Sequence, residues 1–440
     1  MSSAYESLRE KAQGIRASQR QSRRRQRFPV DLAIDPQDIP LDELNVANPE
    51  LFKHDAFAPY FARLRVEAPV HYCRDSQYGP YWSITRYRDI VAIEKAHDIF
   101  SSSYGFGGVT IQGTPQAASE TPMFIEMDPP KHHVQRKAVA PRFTQGSLLE
   151  LETLIRERAV DILDGLPRNE TFDWVSHVSV ELTGRMLASL FGLPQEERHR
   201  LIRWSNIFSN ADNPELVAST GDYYEALAEC GDYFQAVWAD RRQRPPSGDL
   251  ISMLAHGSRT ADMGSKELLG NVVLLLVGGN DTTRNSISGG VLALNENPAE
   301  YAKLRRDPGL IPRMVPEIIR WQTPLTNMRR TAVRDLVFGG QTIRAGDTVI
   351  LWYISGNRDE EAIDRADEFI IDRPRPREHL SFGFGIHRCL GNRLAEMQLR
   401  VLWEEILRRC PNIEATGPPE RANSVLFRAI NRLPVRIREA

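Results

Sequence analysis

Residues 380–396 read LSFGFGIHRCLGNRLAE, and the order of small, aromatic and sulfur-bearing side chains in this stretch decides the fold. Gly383 and Gly385 permit a tight loop that larger side chains obstruct. Cys389 falls at the junction between that loop and a helix-forming run. A helix N-terminus carries free backbone N–H groups and partial positive charge, which favour a thiolate over a thiol. Gly391 lets the backbone pass close beneath a flat cofactor, and Phe382 is placed to shield the sulfur from water. These are the requirements of a thiolate metal ligand. A Gly-rich turn that holds a cysteine by chance is the plain alternative, and a bare GxG beside a cysteine would favour it. The full spacing F-G-x-G-x-H-x-C-x-G, from Phe382 to Gly391, favours the ligand.

The surrounding chain is that of an ordinary globular protein. It has 440 residues, 41% hydrophobic and 26% charged, ample to enclose a large cofactor. Its 56 basic and 58 acidic residues give a net charge of −2, which offers no reason to expect nucleic acid as a partner. Cys73, Cys230, Cys389 and Cys410 form no CxxC pair, which argues against structural zinc and for a reducing, cytoplasmic setting. No run approaches the ~20 apolar residues of a transmembrane anchor. Arg23, Arg24, Arg25 and Arg27 form a basic cluster that suits a membrane or nucleic-acid patch, or simply a solvated arm. Residues 1–27 are expected to be a flexible basic arm, and 28–440 a single domain.

Helical periodicity dominates, over 50–67, 85–97, 147–166, 175–191, 194–210, 214–242, 265–295, 298–306, 311–322 and 390–409. Short strand-like runs appear at 69–72, 80–84, 328–332, 335–339 and 348–352. The fold class is therefore mainly α with a small β region. Residues 265–295 are nearly free of charge before Asp281, as a helix buried on all sides requires. Gly278 and Gly279 lie inside it, where each is unfavourable by about 1 kcal/mol relative to alanine. Close approach of a bulky flat ligand would explain them.

The 380–396 stretch resembles the haem-binding loop of the cytochrome P-450 family of haem-thiolate monooxygenases, and nearly the whole chain supports the resemblance. It implies haem b (heme b, iron protoporphyrin IX) held between the long central helix and the helix after the Cys loop, with Cys389 as axial ligand and Phe382, Gly383 and Gly391 around it. Glu317 and Arg320 form an E-x-x-R pair, which the family uses as a core brace. Asn357-Arg358-Asp359 resembles the family's NRD turn, and Arg373 falls where the family often completes the E-x-x-R network. The run 128–136, DPPKHHVQR, resembles a family helix entry, with His132 and Arg136 sharing one face. Together with Arg330 and His387 they match four propionate-binding positions. The chain departs at His133-Val134, and His133 is a competitor for the contact made by His132.

Gly278-Gly279-Asn280-Asp281-Thr282-Thr283 matches the family's oxygen-activation pattern. An acid with access to water supplies protons, and an adjacent hydroxyl orders the water that relays them; Asp281 and Thr282 fit these roles. No Gly-rich nucleotide fingerprint or iron–sulfur spacing is present, so electrons come from another protein. The resemblance implies a ferredoxin and its NAD(P)H-dependent ferredoxin reductase, with Arg388 and Arg393 as docking residues. Leu274, Val277, Gly278, Leu325 and Met328 are the expected substrate wall, apolar or uncharged, with no charged anchor near the iron. The runs VGGNDTTRNS and PMFIEMDPPKHHVQRK resemble the bacterial branch that hydroxylates terminal carbons of medium-chain alkanes and fatty acids. The same chemistry on a terpene or steroid-like molecule is the nearest alternative. A haem-binding sensor is another, against which the Asp281–Thr282 pair speaks.

Overall fold

In the computed structural model, which describes residues 4–18, 30–113, 120–210, 217 and 219–438, the helix Ser265–Glu296 is the element around which the others gather. Its 32 residues span roughly 48 Å at 1.5 Å per residue. The helices Val180–Leu190, Arg198–Ser209, Thr220–Gln243, Ile311–Gln322 and Asn392–Arg409 all pack on it. Leu268, Leu269, Val272, Val273 and Leu276 are buried along its first half, Ile287, Val291, Leu292 and Leu294 along its second. Surrounded on this scale, the helix has no solvated side, which is why its sequence carries so little charge.

Most other elements follow the periodicity of the sequence. The helices Pro298–Arg306 and Ile311–Gln322 and the strand Met328–Ala332 begin and end at the expected residues. The stretch 50–67 divides into Pro49–Lys53 and Ala58–Glu67, because the Asn48 side chain caps the first and Asp55 turns the chain with φ 56°. The stretch 175–191 opens with a π-turn over Val175–Ser179 before Val180–Leu190. In the five-stranded sheet, β1 (Val70–Cys73), β2 (Tyr81–Ile84), β3 (Phe100–Ser101), β4 (Met328–Ala332) and β5 (Thr348–Leu351) lie in the order β1-β2-β5-β4-β3. Only β2 and β5 pair in parallel.

The expectation of a loose arm over residues 1–27 does not hold for its first part. Glu6–Ser18 is a helix packed on Thr220–Gln243, with Tyr5, Leu8 and Ala12 buried. These residues recur at helical spacing and form one apolar stripe, so ordering them removes that stripe from water. The arginines at 23, 24, 25 and 27 lie outside the described residues.

A buried polar brace connects the helix Ile311–Gln322 to the Cys loop. Arg320 donates from Nε and Nη2 to the two oxygens of Glu317, both at 2.7 Å, and Arg373 Nε donates to Glu317 Oε2 at 3.1 Å. Arg320 Nη1 also donates to Asn357 O and Ala366 O. Asn357 in turn accepts from Leu380 N at 2.6 Å and donates to Ser381 Oγ at 2.9 Å. The E-x-x-R pair thus fixes the start of the loop that carries Cys389. A buried ion pair gains its energy only when every remaining polar atom is satisfied, and this one is.

Candidate active site

One cavity of about 1680 Å³ connects the middle of the central helix to the Cys loop. Sites for a single small ligand run to roughly 300–1,000 Å³, so this space suits a large cofactor together with a substrate. Gly278 and Thr282 line one side, and Phe382, Cys389 and Gly391 also border it. A Cβ added at Gly278 would meet nothing within 4 Å and would project into the cavity.

The Cys loop is shaped by its glycines. Gly383 and Gly385 both adopt φ +64°, the left-handed region that side chains disfavour, and a Cβ at Gly385 would lie 2.4 Å from the Glu94 carbonyl. Cys389 N donates to Phe382 O at 2.7 Å, closing the loop. The helix Asn392–Arg409 starts three residues later, capped at Gly391. Burial pushes the Cys389 thiol up, while the Gly391 N–H, Arg136 and Arg388 pull it down. The thiol is deep in the protein yet accessible through the cavity.

The four expected propionate residues, His132, Arg136, Arg330 and His387, all border the cavity. The His132 and His387 rings lie 4.3 Å apart, and all four ring nitrogens are buried without a hydrogen-bond partner. Burial, reinforced by Arg136, His133 and His97, brings His132 down to about 4. Burial and then Arg330 hold His387 far below the ordinary histidine range. Orphaned buried imidazoles are costly unless a ligand pairs with them, and a cofactor carboxylate would supply that partner. Arg136 borders the same cavity and donates from Nη2 to Arg388 O at 2.6 Å. These residues fit a haem. Arg330 borders the same cavity and is also tied to the protein: its Nη2 donates to Glu94 Oε2 at 2.7 Å, and the Tyr353 hydroxyl donates to the other Glu94 oxygen. Glu94 was not anticipated, because nothing in its helix marks a partner 236 residues away. His133 is exposed and does not line the cavity, so it does not compete with His132.

On the opposite side, Thr282 lines the cavity and donates to Gly278 O at 3.0 Å. Asp281 points the other way, into the interface with Arg198–Ser209. Its carboxylate accepts from Ser205 Oγ at 2.7 Å, from Ser209 Oγ and from Arg284. Asn280 continues the network, donating to Ser205 Oγ and accepting from Thr183 Oγ1. Ser209 borders the cavity and so joins it to the buried carboxylate.

All five expected substrate-wall residues, Leu274, Val277, Gly278, Leu325 and Met328, border the cavity. Sequence reasoning missed the loop 424–427, whose Leu426 and Phe427 pack with Val277 and Leu325. Glu126 and Arg329 also border the cavity. Arg388 and Arg393 are exposed, and neither has a carboxylate partner among the described residues. Among those residues no helix is long and apolar enough to cross a membrane.

The family model described as Cytochrome P450 matches residues 309–428, which span the E-x-x-R brace and the Cys loop. Linalool 8-monooxygenase of Pseudomonas putida is 35% identical over 404 residues, covering 90% of this chain and 99% of that protein. Methyl-branched lipid omega-hydroxylase of Mycobacterium tuberculosis is 32% identical, covering 91% and 96%. Among solved structures, cytochrome P450-153 from Novosphingobium aromaticivorans is 44% identical with a TM-score of 0.83, covering 90% of this chain and 99% of that one. Likeness over the full length of such relatives, with a cysteine loop and a cavity to match, has one meaning: the chain belongs to the cytochrome P450 family of haem-thiolate monooxygenases.

Proposed function

We infer that this cytochrome P450 hydroxylates linear aliphatic chains, medium-chain alkanes or fatty acids, at the terminal carbon. The observation that carries this reading is the cavity wall. Leu274, Val277, Leu325 and Phe427 give it an apolar patch, and such a surface orients a chain by exclusion rather than by hydrogen bonds. The omega-hydroxylase named above, at 32% identity, supports the same class.

Haem bound through Cys389 supplies the reductive activation of O₂. The chain's own residues do the rest. His132, His387, Arg136 and Arg330 would hold the cofactor's carboxylates, and Phe382 would keep water from the sulfur. The Asp281 carboxylate lies on the far side of the central helix, and Ser209 connects it to the cavity that the Thr282 hydroxyl borders, a route along which protons can be relayed. A ferredoxin, recharged by an NAD(P)H-dependent reductase, docks on the basic surface of Arg388 and Arg393. The setting is cytoplasmic, consistent with four cysteines that are all free.

The second reading is a terpene substrate, favoured by the 35% identity to linalool 8-monooxygenase. Reconstitution with a ferredoxin and reductase, supplied with octane, dodecanoic acid and a terpene panel, separates the two. Terminal alcohols from the linear chains are expected. Their absence, with terpene products present, would transfer the assignment.

A further inference from the structure

The cavity carries charge away from the residues that fit the haem. Glu126, in the short helical turn Phe124–Glu126, is buried and borders the cavity. Its Oε1 accepts from Val109 N at 3.3 Å, and its Oε2 has no hydrogen-bond partner among the described residues. The carboxylate lies against a loop that borders the cavity, since a Cβ at Gly108 would fall 2.0 Å from Oε1. The nearby cation, Arg329, is partly engaged by the loop. Its Nη1 donates to Gly113 O and its Nη2 to Phe106 O at 2.7 Å, while its Nε is buried without a partner and inaccessible. Glu126 and Arg329 therefore pair with the same loop rather than with each other.

We propose that Glu126 sets the charge selectivity of the cavity, admitting uncharged chains such as alkanes and primary alcohols and turning away carboxylates. This deepens the aliphatic reading above and rests on it. A fatty acid held in the cavity brings its carboxylate into the space that this buried acid borders, while Arg329 Nη1 and Nη2 each already donate to a loop carbonyl. Like charges are poorly screened in such a setting. The discrimination depends on pH. Burial raises the Glu126 carboxyl to about 7, and the Val109 N–H and the Arg329 charge, which favour ionisation, do not offset it. Arg329, from β4, is the charged group that acts on it, and the loop contributes only its backbone N–H. Below neutrality Glu126 is protonated and tolerates a carboxylate. Above neutrality it is ionised and repels one.

The test measures dissociation constants of 1-decanol and decanoate for the haem-loaded enzyme, read from the substrate-induced shift of the haem absorption band, between about pH 6 and about pH 8. Decanoate is ionised throughout, having a pKa of about 4 to 5. In the wild type, decanoate is expected to bind at least about tenfold more weakly than decanol at the alkaline end, with the gap closing towards the acid end. Glu126→Gln keeps an acceptor for Val109 and should reduce the alkaline gap to about its acid value. A gap that persists unchanged in Glu126→Gln overturns the proposal. Should that variant fold poorly, the wild-type profile alone decides, and a gap that does not grow with pH overturns it equally. Binding of neither chain at any pH would instead defeat the aliphatic reading, and this inference with it.

Discussion

Asp281 and Thr282 are neighbours in sequence and face opposite sides of the central helix: the Thr282 hydroxyl borders the cavity, while the Asp281 carboxylate is buried against Ser205, Ser209 and Arg284. Any relay between Asp281 and the cavity therefore has to run through side chains of the helix Arg198–Ser209, with Ser209 at the cavity wall.

Asp281→Asn is expected to slow product formation by about 10²-fold, the lower end for a lost acid–base group. Substrate affinity should be unchanged, because Asp281 does not border the cavity. Ser209→Ala should act in the same direction and more weakly. Product formed per NAD(P)H consumed, with hydrogen peroxide release, measures this. Unaltered coupling in Asp281→Asn would remove the residue from the relay.

The Glu94–Arg330 pair should matter for folding as well as for the cofactor. Both side chains are almost fully buried. Arg330→Met leaves Glu94 charged and unpaired and is expected to destabilise the protein by about 3–5 kcal/mol. Adding Glu94→Gln should recover much of that loss. Denaturant unfolding of the two single variants and the double variant supplies the coupling energy, and simple additivity would contradict the pairing.

Acid stability should report the brace. Burial alone would raise the Glu317 carboxyl, but the hydrogen bonds and charge of Arg320, then Arg373 and the Ile370 N–H, outweigh it and leave it lowered. A depressed folded pKa contributes stability above the unfolded value of about 4.3, and that contribution is lost as pH falls through the folded value. The wild type should therefore lose stability more steeply than Glu317→Gln between about pH 5 and pH 3. Parallel melting curves would contradict this.

The Cys loop and the central helix were legible because their chemistry is local. Glycines set the loop's backbone, and the absence of charge marks burial along one continuous helix. What was hidden depends on partners brought from afar. No feature near Arg330 announces Glu94, and no feature near Asp281 announces Ser205 and Ser209 on another helix. The helix Glu6–Ser18 is a different case: Tyr5, Leu8 and Ala12 already showed helical spacing, but the arginines that follow masked it.

Tyr5 measures how firmly that helix belongs to the core. Its ring would lie 2.7 Å from a Cβ at Gly231, and its hydroxyl donates to Ser265 O at 2.9 Å. Tyr5→Ala is expected to destabilise the protein by about 3–5 kcal/mol, as for other large buried aromatics. An unchanged denaturation midpoint would mean that the N-terminal helix is dispensable.

The central claim is that Cys389 is the sulfur that holds the haem iron. The carbon monoxide difference spectrum of the reduced protein tests it most directly. The wild type should give the Soret band of thiolate ligation, and Cys389→Ala should lose it while Cys73→Ala, Cys230→Ala and Cys410→Ala keep it. A thiolate-type band that survives in Cys389→Ala would contradict the account.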